Sequence, residues 1–325
     1  MKHFLRLTTA LLIVAIVVAC SCMQSKSGVA SKRVEPTNAI YHWRGVYNPT
    51  PEDYAFMTNN DIGRLYIRFF DVAAEYDAVN QIMCAVPIAT TKFEGVVPYG
   101  VEVIPVTYIT VEGLRQMEGS ENRYASSIIE RMLAMASYNE LGKINEIQFD
   151  CDWTESTRHI FFDLCEFASM QLHKMDMKLS VTVRLHQMRE QAPTADRGVL
   201  MLYNTGAVRN PNTRNSILDV NDVVPYLKSR KYALPLDYAY PTFGWSVLFK
   251  DSIFQRLISD NDSYTPTEGE TLRVERASAE EIMEVKRRVE RAFGKPYQSN
   301  IIYHLDINQL NNYTDYEITQ IFARN

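Results

Sequence analysis

The 325 residues are 46% hydrophobic, 11% aromatic and 22% charged, which excludes a mainly disordered chain. Lys and Arg total 34 against 39 Asp and Glu, a formal charge of −5, and this argues against a protein held to nucleic acid by a basic surface. The length admits two domains or one α/β barrel of about 250 residues, and no glycine period or short repeat points to collagen or a solenoid.

Residues 1–19 read as an export signal. Lys2 and Arg6 precede an apolar run over 10–19 that is too short for a bilayer core, which needs about 20 apolar residues. The run ends Val17-Val18-Ala19-Cys20, which resembles a bacterial lipobox. The resemblance implies cleavage before Cys20, diacylglycerol on its sulfur and a membrane anchor through the acyl chains; Ser21 implies the outer membrane by analogy. An ordinary secretory signal with a coincidental cysteine is the alternative. Residues 20–38 have no apolar period and read as a tether, leaving 39–325 as the folded domain. Cys84, Cys151 and Cys165 are odd in number with no CxxC, so they read as packed thiols and not as a disulfide framework.

From residue 39 short β-rich runs alternate with helical patterns, the mark of βα units on a parallel sheet. Strands are predicted over 39–43, 64–71, 102–109, 144–150, 178–186, 198–203, 236–240 and 300–304. Helices between them carry start signals: Thr50-Pro51-Glu52-Asp53, the capping box Ser278-Ala279-Glu280-Glu281 with Gly294 at its stop, and Thr314-Asp315-Tyr316-Glu317. Apolar stripes predict two more, over 121–141 and 157–175. Eight such units close most economically into a (β/α)8 TIM-type barrel. An open doubly wound sheet would want a Gly-rich phosphate turn, and neither GxGxxG nor GxxxxGK[ST] occurs. Residues 72–101 and 243–277 exceed ordinary loop length and are expected on the C-terminal face, where functional loops gather.

Polar residues at C-terminal strand ends are the candidates for chemistry. On strand four, alternation puts Gln148, Asp150 and Asp152 on the inward face and Ile147, Phe149 and Cys151 on the helix side. Carboxylates there cost several kcal/mol unless partnered. Strand five offers Thr182, Arg184 and His186, strand two Tyr66 and Arg68, strand seven Tyr238 and Tyr240, and strand eight His304 with Asp306. Arg68 or Arg184 is placed to neutralise Asp150 or Asp152. Asp150, Asp152, Arg184 and His186 are the catalytic candidates; Trp43, Arg68, Tyr240, His304 and Asp306 are the candidates for binding substrate. The plainer alternatives are an Asp152–Glu155 helix start, a structural pairing of Asp150, hydrogen-bonded interior histidines, and Asp71 as either a third carboxylate or a turn-opening residue. No cofactor motif is present, and no HxH, HExxH or close cluster supplies three metal ligands.

The run Phe149-Asp150-Cys151-Asp152-Trp153-Thr154 resembles the fourth-strand signature of family 18 chitinase-type glycoside hydrolases, Asp-x-Asp-x-Glu. In that family the Glu protonates the glycosidic oxygen and the preceding Asp assists the substrate's N-acetyl group. Asp150 and Asp152 match the aspartates; Thr154 occupies the Glu position, and Glu155 is one residue late, on the opposite face of a strand. A wider resemblance, over residues 39–325, is to uncharacterised bacterial lipoproteins with a hydrolase-like barrel. It rests on Tyr41-His42-Trp43, Arg68-Phe69-Phe70-Asp71, residues 148–154, Arg184-Leu185-His186-Gln187 and Leu202-Tyr203-Asn204-Thr205-Gly206. These resemblances imply an exported, lipid-anchored barrel that processes or binds an oligo- or polysaccharide. Two other classes stay open: a non-catalytic glycan- or protein-binding barrel, which the missing Glu favours, and a metal-dependent hydrolase using Asp150, Asp152 and His304.

Overall fold

A computed structural model describes residues 37–228, 231–260 and 262–324. The signal segment, Cys20 and nearly all of the tether lie outside the described residues.

Eight parallel strands close a barrel: β1 (Asn38–His42), β3 (Ile62–Asp77), β6 (Glu102–Ile109), β7 (Glu146–Asp150), β8 (Lys178–Val183), β9 (Arg197–Met201), β10 (Leu236–Pro241) and β14 (Asn300–Tyr303). They pair in that order, and β14 returns to β1 through Ala39–Ile301 and Ile40–Ile302. All eight predicted strands are present. The fifth is shorter than expected: β8 stops at Val183 and the chain turns into a 3-10 segment, His186–Arg189.

The helices begin where short side chains satisfy free backbone donors. Thr50 accepts from Asp53 N and Asp53 returns a bond to Thr50 N, with Pro51 in the first turn of Pro51–Asn59. Thr314 and Glu317 repeat this reciprocal cap at Asp315–Phe322, and Ser278 caps Ala279–Phe293, which ends at Gly294 with φ 95. The striped helices run Glu121–Tyr138 and Arg158–Lys174. Thr157 precedes the second of these, so Asp152 and Glu155 are not its cap.

Two apolar layers follow from alternation along the strands. Ala39, Tyr41, Tyr66, Ile104, Val106, Val199, Met201, Ala239 and Ile301 fill the barrel's interior. Residues one step out of phase, such as Ile40, Leu65, Ile147, Phe149 and Val181, pack with Leu164, Val285 and other helix residues in the outer layer. Cys151 and Cys165 belong to that layer as buried free thiols.

The closed end of the barrel holds a charged plug. Arg197, fully enclosed, donates to Glu146 through Nε (3.0 Å) and Nη2 (2.7 Å). It also reaches Asp237 (2.5 Å), Gln298 (2.6 Å) and the Tyr66 hydroxyl (2.5 Å).

Both long stretches contain β structure. β3 runs past the rim to Asp77 and folds back as β4 (Ile82–Ile88), an antiparallel hairpin. Residues 244–276 form a three-stranded antiparallel sheet of β11 (Gly244–Lys250), β12 (Ile253–Ser259) and β13 (Glu270–Arg276). Short strands β2 (Val46–Tyr47) and β5 (Lys92–Phe93) pair beside the mouth. Among the described residues no helix is long and apolar enough to cross a membrane.

Candidate functional site at the barrel mouth

Asp150, the last residue of β7, points into the barrel and is nearly enclosed. Its Oδ1 accepts from Arg184 Nη2 at 2.8 Å and from the Thr182 hydroxyl at 2.5 Å. The pairing of Asp150 with Arg184 is thus one of those the alternation anticipated. Beneath it Tyr41 donates to Gln148 (2.7 Å), whose amide reaches Ser180 (3.3 Å). Asp152, two residues on, stands at the rim about half exposed, its Oδ1 3.3 Å from His186 Nε2. His186 reaches it from the 3-10 turn after β8, not from the strand itself.

A cavity of about 310 Å³ opens among the ends of β6 to β9. Tyr108, Asp152, Arg184, His186, Tyr203 and Asn204 are on its walls. Arg184 Nη1 is buried there with no hydrogen-bond partner.

Beside the cavity lies a continuous set of rings. Tyr203 stacks on Tyr303 at 4.5 Å; Trp43 meets Tyr303 at 5.7 Å and Tyr41 at 6.0 Å; Phe243 contacts Tyr203, Tyr303 and Trp245. Burial pushes the Tyr203 and Tyr303 hydroxyls well above their ordinary range, so both are neutral donors at pH 7.

A β-bulge shapes the remaining side. Arg68 pairs with Val106 and Phe70 with Thr107, so β3 gains one residue and Arg68 and Asp71, three apart, meet at 3.2 Å. Arg68 also donates to Ala89 O (3.0 Å). Burial, followed by the charge of Asp150, raises the Asp71 carboxyl above the ordinary range, while Arg68 opposes that shift.

Other expectations meet a different arrangement. Tyr238 and Tyr240 face the helix layer, because Ala239 takes the inward position on β10 and the neighbouring inward residue, Asp237, is needed by Arg197. Tyr240 is completely buried there, and Tyr238 donates to Gly294 O. Tyr240 is therefore not a substrate-binding residue. Asp306 caps the short helix Ile307–Leu310 and pairs with Arg44 at 2.8 Å, so it is already occupied. His304 stacks on Tyr303, and burial lowers it to about 4; burial, and then His304 and Arg44, lower His42 to about 3. Both imidazoles are neutral at pH 7. Trp153 packs on Phe161 and Phe162 in the outer layer. Thr154, in the Glu position of the strand-four signature, and Glu155 are both exposed, and no Glu is among the residues lining the cavity.

Tyr108, Tyr303 and Asn204 are mouth residues that reasoning from sequence did not single out as candidates. Their signal was available: Tyr108 and Tyr303 each lie two positions beyond an inward apolar residue, Val106 and Ile301.

Solved structures share this architecture. An Ostrinia furnacalis Group IV chitinase superposes with a TM-score of 0.54 at 11% identity, covering 88% of this chain and 98% of that one. The Bacillus megaterium spore cortex-lytic enzyme SleL gives 0.53 at 13% identity, with coverage of 88% and 76%. The GH18 chitinase ChiB from the chitin utilization locus of Flavobacterium johnsoniae gives 0.51 at 10%, with 88% and 92%. At these identities the likeness is one of fold alone: a (β/α)8 barrel. No protein-family model matches the sequence, and no curated protein matches it significantly.

Proposed function

We propose that this chain is a lipid-anchored cell-envelope protein that takes a carbohydrate chain into its barrel mouth. The observation that carries the reading is the unbroken ring surface of Trp43, Tyr303, Tyr203 and Phe243 beside Asp150, Asp152 and Arg184. Pyranose rings present flat apolar faces edged by hydroxyls. Aromatic planes cover the faces, while carboxylates and guanidinium donors take the hydroxyls. The orphan Arg184 Nη1 is a ready donor for one of them. If the protein is hydrolytic, its acid is not the chitinase-type glutamate, since Thr154 stands in that place.

A non-catalytic glycan-binding barrel is the second reading, and the exposed Thr154 and Glu155 favour it. A panel of neutral and N-acetylated oligosaccharides tests the shared premise. The full chain, purified in detergent, is expected to bind at least one class. Trp43→Ala should weaken that binding about tenfold, the equivalent of about 1.4 kcal/mol. An intact fold that retains none of the panel removes the carbohydrate reading.

Membrane attachment, and an outer-membrane address, rest on the Ala19-Cys20-Ser21 sequence, with residues 39–325 as the exported domain. Cells fed labelled palmitate should incorporate it into the wild-type chain, and Cys20→Ala should abolish incorporation. Labelling that survives the substitution would remove Cys20 as the anchor.

A further inference from the structure

We propose that Asp71 is the proton donor of this mouth, filling the role left empty at Thr154; the inference rests on the carbohydrate reading above. Asp150 is committed, its Oδ1 taken by Arg184 and Thr182. Asp152 is half exposed and faces His186. Asp71 is different. Its side chain is 17% exposed, and although Arg68 Nε lies 3.2 Å from Oδ1, neither atom makes a hydrogen bond. The contact therefore lacks the alignment that would strongly favour the ionised form.

Position supports the same assignment. The Arg68–Phe70 bulge lets a residue three beyond Arg68 meet it at the mouth. Cross-strand register then aligns Asp71 with Tyr108, and Tyr108 with Asp150, so the two acids flank one strand, with strand spacings of about 4.8 Å. The groups that act on the Asp71 carboxyl are Arg68 on its own strand and Asp150 on β7, and the Tyr303 hydroxyl from β14 feels its charge in turn. Glu275 is engaged by Ser216, Trp245 and Arg273, and Glu190 by Arg158.

The step balances as a hydrolysis with water as co-reactant. The Asp71 proton passes to the glycosidic oxygen, and the anomeric carbon–oxygen bond breaks with its electron pair on that oxygen, which leaves as an alcohol. A water oxygen bonds to the carbon, and its proton goes to the Asp152 carboxylate. Exchange with solvent then returns a proton to Asp71 and restores the Asp152 carboxylate.

The test compares the full chain in detergent with Asp71→Asn and Asp71→Glu, on nitrophenyl and dinitrophenyl glycosides and on the unactivated oligosaccharides that bind. General acid assistance contributes about 10²–10⁴-fold in rate. Asp71→Asn should therefore lose at least about 100-fold in kcat on unactivated substrates, with KM within about threefold. It should lose far less on dinitrophenyl glycosides, whose leaving group needs no proton, and its rate should no longer fall at high pH through the titration of this acid. Asp71→Glu should keep that alkaline limb at a shifted pH. The same activity in Asp71→Asn and wild type overturns the assignment. Equal losses on good and poor leaving groups also overturn it, since a structural role would give that result. Oligosaccharide binding with no turnover in the wild type overturns this inference and leaves the carbohydrate reading intact, whereas failure to bind any sugar removes both.

Discussion

Replacing Arg197 by methionine is expected to destabilise the fold by about 3–5 kcal/mol, because Glu146 and Asp237 would then stand buried with no cation between them. The guanidinium bonds two carboxylates, an amide and a phenol; Arg64 shares the Gln298 amide oxygen, so the loss falls on the two carboxylates and the phenol. Methionine keeps only the apolar stem, is shorter and supplies no donor, and each abandoned acceptor pays its own desolvation cost. Urea unfolding at neutral pH checks this, with heat unfolding alongside: at about 2–4 °C per kcal/mol, the midpoint should drop by at least about 6 °C. Removing the acids as well, in Arg197→Met with Glu146→Gln and Asp237→Asn, should recover part of the loss. A single substitution that costs less than about 1 kcal/mol would show that the plug is solvated.

The second large effect is expected at the mouth. Arg184→Met strips Asp150, 5% exposed, of its cation and of one of its two hydrogen bonds, at a cost of about 3 kcal/mol. Carbohydrate binding should fall with it, since the unpartnered Nη1 is lost too. Asp150→Asn alone removes the buried anion and should cost less. The double variant should be more stable than the sum of the singles by at least about 1 kcal/mol, which a double-mutant cycle on urea unfolding measures. Strict additivity would mean that the 2.8 Å contact contributes no coupling energy.

Alternation along β7 was legible from sequence because its two alternate sets differ in chemistry: Gln148 and Asp150 are polar and face in, Ile147 and Phe149 are apolar and face out. Helix starts at Thr50, Ser278 and Thr314 were legible for a similarly local reason, since a hydroxyl that accepts from the backbone N–H three residues on is a short-range pattern. Phase failed on β10. Residues 236–241 are all buried, so either set of alternate side chains could face inward, and the choice is made by Arg197, a residue 40 positions away that requires Asp237. The mouth was harder still. Asp71 depends on a bulge, which inserts a residue with no marker in the local sequence, and His186 sits on a turn that a β-rich run concealed. Glu155 shows the limit of motif reading, because a one-residue offset from the expected position leaves its carboxylate in water.

The β11–β13 sheet is stitched to the segment that follows β9. Glu275 receives Trp245 Nε1, Ser216 N and Arg273 Nε; Arg273 also grips the carbonyls of Val208 and Asn210, and Asn215 holds that of Arg276. So many crossed tethers make this rampart static, with Phe243 and Trp245 rooted at its base. On the carbohydrate reading proposed above, a visiting sugar would meet a wall already shaped on this side. Its capture rate should then rise in simple proportion to concentration, without the plateau that a slow gating rearrangement imposes.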